Sequence, residues 1–269
     1  MSLPVSVSFG GGVQSTAIAL LVEQGKLPAP ASWVFADTGD EPAEVYEHVE
    51  KWSKRIDLKV VVGTKTGSLL QDYIEGVDAG ENPPQPPLWI ADPDKPGARM
   101  PMRRQCTERY KIRVIKRYLR ERFDIKSGKG PQVVQWIGIS VDEAHRMKPA
   151  GAGWYSIAWP LIDLGMRRTD CLKLLADAGE SAPRSACRYC PYHGNDEWKR
   201  LKSNPDEWAR IVADERAIHA AYERNGGMIS GQSTKPTLHR SGIPIDEIDF
   251  DAQPSLFHWG NECAGVCGV

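Results

Sequence analysis

Apolar and polar positions change period repeatedly between Pro4 and Val62. Pro4-Val5-Ser6-Val7-Ser8-Phe9 alternates as a strand, and Ala17 to Val22 continues as an apolar helical stretch. The pattern predicts strand 4–9, helix 14–25, strand 32–37, helix 42–55 and strand 58–62, the order of a doubly wound parallel α/β sheet. Leu58-Lys59-Val60-Val61-Val62 has the branched apolar character of a strand buried on both faces. Residues 76–101 carry prolines at 83, 84, 86, 87, 93, 96 and 101, which disfavours a helix and predicts an extended loop over the ligand-binding edge. A basic helix is expected at 107–123, with Ile112, Ile115, Leu119 and Phe123 on its core face, then a strand at 133–139. The sheet is expected to end near Pro160. Helices follow at 171–178, after the Thr169-Asp170 start pair, and at 195–203 and 205–224, before a loop-like tail from Gly226. The expected organisation is an α/β domain over 1–165 and a helical, loop-rich region over 166–269.

The run Ser8-Phe9-Gly10-Gly11-Gly12-Val13-Gln14-Ser15-Thr16 sits between the first strand and the first helix. Unsatisfied amides and the helix dipole favour an anion at such a turn, and glycine lets the backbone come close to it. Ser15 and Thr16 are read as additional hydroxyl donors. No lysine follows the glycines, which excludes the Walker pattern. A dinucleotide pattern fits Gly10 and Gly12, with Asp37 ending the next strand, but Ser15 stands where its third glycine belongs. Asp37-Thr38-Gly39-Asp40-Glu41-Pro42 falls at the same sheet edge and also suits an acidic helix start. Gly138 to Arg146 follows a later strand at that edge, where Arg146 and Lys148 could grip phosphate. His145 reads as a surface or structural residue.

The 269 residues carry a net charge of −1, so nothing global marks a nucleic-acid or membrane binder. With no apolar run near the ~18 residues of a membrane span and no leader-like start, a cytoplasmic protein without a membrane partner is expected. Six cysteines in such a chain read as metal ligands or catalytic thiols. Cys187 and Cys190 form a CxxC followed by His193, a set that with one further cysteine could hold Zn²⁺. Cys106 lies in a basic setting that favours thiolate. Cys171, on an apolar helix, reads mainly as packing. From Arg103 to Arg122 there are nine Arg or Lys against two Glu, a local excess suited to a sulfonucleotide or a nucleic-acid backbone.

The nonapeptide resembles the PP-loop, SFSGGKDST, of the ATP pyrophosphatase and phosphoadenosine phosphosulfate (PAPS) reductase superfamily, with Gly10, Val13 and Gln14 replacing its serine, lysine and aspartate. Asp37-Thr38-Gly39 with Glu41 is similar to the family's DTG-x-E run. Cys106, then the CxxC of Cys187 and Cys190, then Glu262-Cys263-Ala264-Gly265-Val266-Cys267 follow the order and spacing of the iron–sulfur reductases. Thr107 replaces one cysteine of their pair, Ser140 an arginine of their Gly-x-Arg run and Cys267 their terminal histidine. Trp159-Pro160-Leu161-Ile162 resembles their Pro-Leu segment.

The resemblance implies an adenine nucleotide alpha hydrolase-like sheet with a helical, cysteine-bearing C-terminal part. It implies ATP or a sulfonucleotide held by Ser8, Gly10, Gly11, Gly12, Gln14, Ser15, Thr16, Asp37, Gly138 and Arg146, assisted by Mg²⁺. It implies a [4Fe-4S] cluster, or alternatively Zn²⁺, on Cys106, Cys187, Cys190, Cys263 and Cys267, and catalysis by Asp37 and Cys263. Two activities follow: nucleotide-dependent sulfur transfer to a nucleic acid or small molecule, or thioredoxin-dependent sulfonucleotide reduction with Cys263 as nucleophile. A non-catalytic nucleic-acid-binding protein with a structural metal is the third reading. The implied partners are an adenine nucleotide, a nucleic acid along Arg103–Arg122, and a thioredoxin-like protein or sulfur donor.

Overall fold

The computed structural model describes residues 2–126, 130–148 and 153–251. Five parallel strands, β1 (Val5–Ser8), β2 (Ser32–Asp37), β3 (Leu58–Val62), β6 (Val133–Ile137) and β7 (Tyr155–Ala158), form one sheet in the order β3-β2-β1-β6-β7. The antiparallel pair β4 (Trp89–Ala91) and β5 (Arg99–Pro101) forms a separate hairpin. The helices are α1 (Val13–Glu23), α2 (Ala43–Ser53), α3 (Leu69–Asp78), α4 (Arg113–Arg122), α5 (Pro160–Asp163), α6 (Arg168–Asp177), α7 (Asn195–Lys202) and α8 (Pro205–Arg224). A π-helical turn, Thr107–Ile112, runs directly into α4.

The chain winds outward from β1 to β2 to β3 and then returns to lay β6 against the other side of β1. Ser8 is registered with Val34 on one side and with Ile137 on the other. Strand order therefore reverses between β1 and β6, and in an open parallel sheet the crevice at such a point is where ligands bind.

Three main cores build the molecule around this crevice. On one face Val7, Phe9, Trp33 and Phe35 pack with α1, α2 and α6, and Cys171 is fully buried among them. α1 is buried along nearly its whole length, which its alanines permit by letting neighbours approach closely. On the other face Val34, Ala36 and Val133 meet Ile115 and Leu119 of α4. The third core joins α3, the hairpin, α7, α8 and the segment through Phe250, away from the sheet.

Local pattern and tertiary context disagree at three places. β3 is an edge strand, with Val60 and Val62 at 41% and 50% exposure, and so is not buried on both faces. Its valines suit a half-covered surface as well as a covered one, and composition does not distinguish them. α3 was not anticipated, although Leu69, Leu70, Tyr73 and Val77 have helical spacing and the Ser68 hydroxyl caps the Gln71 amide at 3.1 Å. Its last turn runs into the segment expected to be extended, and within that segment the hairpin forms. α6 begins at Arg168, ahead of the expected Cys171 start, with the Asp170 carboxylate accepting the Arg167 amide at 2.8 Å.

Candidate functional site

The glycine turn occupies the strand-order crevice. Gly11 has φ +74°, and a Cβ there would lie 3.2 Å from Val45 and Val49 of α2. A Cβ at Gly138, beyond β6, would lie 3.0 Å from the Ser15 amide nitrogen, so the end of β6 rests against the start of α1. Gly12 caps α1 without a side-chain acceptor, and the first turn holds no acid. Its amides and dipole thus remain suited to an anion. The hydroxyls of Ser15 and Thr16 point inward and donate to the Gly12 carbonyl at 3.0 and 2.9 Å. With the Thr16 proton used in this way, its oxygen accepts from His48 Nε2 at 2.8 Å. Burial pushes the His48 pKa down to about 4, which keeps this ring neutral. Backbone amides, more than hydroxyls, face outward from the turn.

Sequence reasoning named Arg146 here but missed Arg168 and Arg184. Gln14 donates to Glu143 at 2.8 Å and accepts from Arg168 of α6 at 3.2 Å. Arg146, which is buried, pairs with the same Glu143 at 2.5 Å. Desolvation lowers the Arg168 pKa, and the charge of nearby Arg184 acts in the same direction. The adjacent Ser185 would lie 3.1 Å from a Cβ on Gly12. The segment leading to the CxxC therefore crosses the glycine turn. Val13, at the lysine position of the PP-loop pattern, is only 2% exposed in the core. The only sequence signal for Arg168 and Arg184 was their charge, because the turn they approach lies at the far end of the chain order.

The turn after β2 fastens the thiol loop to the sheet. Gly39 has φ +77°, and a Cβ there would collide with the Gly67 carbonyl oxygen at 1.6 Å, so only glycine fits. Asp37 accepts from the Gly39 amide and from Tyr46 Oη, both at 2.8 Å, and burial together with the Asp37 charge raises the Tyr46 pKa. Asp40 is fully buried. It accepts from Ser68 Oγ at 2.9 Å, the Leu70 amide at 2.9 Å and Tyr189 Oη at 2.8 Å, and pairs with Arg188 at 3.2 Å. Arg188 and Tyr189 are the two residues inside the CxxC. Trp89 of the hairpin adds a bond from its indole N–H to the Pro191 carbonyl at 2.9 Å.

The thiols meet the sheet edge at Glu41. Cys187 Sγ lies 3.6 Å from Thr38 Oγ1 and 3.9 Å from Glu41 Oε1, and Lys111 pairs with the same oxygen at 2.9 Å. Burial and the Glu41 charge push the Cys187 thiol pKa up, Lys111 opposes them, and a charge on Cys106 contributes. Cys106 and Cys187, distant in the chain, are thus close enough for the charge of one to act on the other. Cys171 stands apart in the sheet core, where burial pushes its pKa up to about 12. The His193 ring turns from the thiols to the Cys187 carbonyl at 3.0 Å and packs edge-on against Trp198. Among the described residues no three His, Cys, Asp or Glu side chains are arranged to hold a metal ion. Those residues alone therefore do not complete a metal centre, and Cys263 and Cys267 lie outside the described residues. His145 is exposed, as expected.

A parallel sheet with a glycine turn at its strand-order reversal, opening an uncapped helix, defines a nucleotide-binding α/β domain of the PP-loop kind. Residues 4–122 match the family model of the phosphoadenosine phosphosulfate reductase domain, so this part of the chain is similar to the PAPS reductase-like PP-loop proteins. The match runs from β1 through α4 and ends before β6 and the CxxC. No curated protein matches the chain. No helix among the described residues is long and apolar enough to cross a membrane.

Proposed function

We propose that the chain is an enzyme that binds an adenine nucleotide at Ser8–Thr16 and carries out nucleotide-dependent sulfur transfer at the adjoining thiol loop. The observation that carries this reading is the contact of Ser185 with Gly12, which lays the CxxC segment across the anion-binding turn. The amides opening α1 receive phosphate, and Arg146, Arg168 and Arg184 supply positive charge in place of the lysine absent at Val13. Arg168 does so through Gln14, whose carboxamide it orients. Asp37 fixes the turn after β2 through Gly39 and Tyr46, and Asp40 holds Arg188 and Tyr189 so that Cys187 stays at the edge. With these carboxylates engaged by protein donors, Mg²⁺ would be held chiefly through the nucleotide. The soft thiolates of Cys106, Cys187 and Cys190, with Cys263 or Cys267, suit a [4Fe-4S] cluster better than a hard cation. A cluster there would supply the site with iron that holds or delivers sulfur.

Two measurements test the reading together. Calorimetry should find ATP bound more tightly than adenosine, and anaerobically purified protein should carry iron that is lost in Cys106→Ser and Cys187→Ser variants. Equal affinity for ATP and adenosine, or colourless zinc-loaded protein, would overturn it. Thioredoxin-dependent sulfite release from a sulfonucleotide would assign the chain to reduction instead.

A further inference from the structure

The fold divides the basic run Arg103–Arg122 into two groups. Arg104 and Lys111 turn toward the thiol loop: Arg104 donates to Thr107 at 2.8 Å and lies over Tyr192, and Lys111 pairs with Glu41. Beyond Lys111 the helix packs Val114, Ile115 and Leu119 inward. Arg113, Lys116, Arg117 and Arg120 come round to the opposite side, where with Glu121 and Trp154 they line an open groove of about 510 Å³. Arg113 has the exposed Glu108 at 3.4 Å. Lys116 lies 5.4 Å over Tyr155 and Arg120 5.0 Å over Trp154, so aromatic rings hold these two cations without neutralising them.

The basic run stands out against the rest of the chain. Residues 103–122 hold nine Arg or Lys and two Glu, a net of +7, while the whole chain carries −1, leaving −8 on the remainder. Of the nine, Arg113, Lys116, Arg117 and Arg120 line the groove beside Glu121, so a polyanion is attracted there while the chain outside the run is net negative. The four outer cations recur at helical spacings of three, one and three residues, a row about 10 Å long at ~1.5 Å per residue. That length spans about three to four phosphates of one duplex strand at ~3.4 Å each. Among the described residues, those lining the groove offer no exposed apolar side chain for insertion into a bilayer, and Val114, Ile115 and Leu119 of α4 are buried.

We propose that this face of α4 docks the phosphodiester backbone of a nucleic acid, and that the acceptor brought to the thiol edge is a nucleic acid; the second half rests on the function proposed above. α4 leaves the site at Lys111 and carries Arg113 to Arg120 away from it, so a backbone laid along the groove leads toward Glu41 and Cys187.

Fluorescence anisotropy of the full chain with a labelled DNA duplex and a labelled RNA hairpin tests the docking. Between about 50 and about 200 mM salt, log K should fall with log salt with a slope of about −3 to −4, as for roughly four neutralised phosphates. Lys116→Glu, Arg117→Glu and Arg120→Glu together should weaken binding by more than about tenfold. An Arg113→Glu/Arg117→Glu pair, which leaves both aromatic stacks in place, should weaken it in the same direction. Absence of binding, a slope near zero, or undiminished binding by both variants would overturn the proposal. So would polyglutamate competing as well as the oligonucleotides, which would make the face a site for acidic polypeptide. ATP calorimetry on the same samples separates the two readings. Nucleic acid held by protein that fails to bind ATP removes the proposed function and leaves the docking, and the converse removes only the docking.

Discussion

Replacing Asp40 by alanine should loosen the junction between the sheet and the thiol loop. The substitution removes the partner of Arg188 and the acceptor of Tyr189 Oη, Ser68 Oγ and the Leu70 amide at a fully buried position. Breaking a buried ion pair from one side costs about 3–5 kcal/mol, because the remaining charge stays desolvated. Arg188 keeps Asp214 at 2.7 Å, which sets the expectation at about 3–4 kcal/mol. At about 2–4 °C per kcal/mol for a chain of this size, the melting temperature should fall on the order of 10 °C. Asp40→Asn should cost nearly as much, since its amide nitrogen would face donors with no acceptor to meet. Asp214→Ala should cost less, because Asp40 continues to hold Arg188. Urea denaturation measures the loss, and thiol labelling resolved by mass spectrometry should show Cys187 and Cys190 reacting faster in Asp40→Ala. A loss below about 1 kcal/mol with unchanged labelling would refute the role given to Asp40.

Gly39→Ala should destabilise by more than the roughly 1–2 kcal/mol that a left-handed backbone alone costs, since its Cβ would collide with Gly67. Gly25→Ala, with φ +69° and open space around it, supplies that reference in the same denaturation assay, and equal losses would refute the collision. Arg184→Met and Arg168→Met should each weaken ATP binding by about tenfold or more while leaving adenosine binding unchanged, as for the loss of a charge-assisted bond of about 1.5–3 kcal/mol. Calorimetry with both ligands checks this, and equal loss for both would indicate general disruption. His48 and His239 are buried, with pKa values pushed down to about 4, so the unfolded chain binds protons that the folded chain refuses between pH ~6.5 and ~4. Their contribution to stability is full above pH ~6.5 and should be lost by up to roughly 1.4 kcal/mol per pH unit for each ring as the pH falls toward 4. Urea midpoints that stay flat from about pH 7 to about pH 5 would contradict it.

The alternation of strands and helices was legible from residue order because burial of one face imposes a local period. Asn195–Lys202 and Pro205–Arg224 show this well, the second with Pro205 in its first turn and the Asn204 side chain capping Glu207 at 3.2 Å. The glycine turn was equally legible, since a strand, three glycines and a helix lie within one short window, and the matched family domain agrees with it. β3 was placed correctly yet given the wrong surroundings, because whether a strand is central depends on where later strands join the sheet. α3 was hidden by the proline segment into which its last turn runs.

Within the site, sequence alone determined which chemistries are present: a phosphate-binding turn, an acidic turn, a basic helix and spaced thiols. Each depends on residue identity and near neighbours. Only the tertiary structure decided how they meet. It turned the Ser15 and Thr16 hydroxyls inward, brought Arg168 and Arg184 to a turn that lacks a lysine, and joined Asp40 to the interior of the CxxC. The arginine and Asp40 contacts link segments from opposite ends of the chain order, where the pairing is set by how the later helices pack on the sheet and not by any period the chain displays.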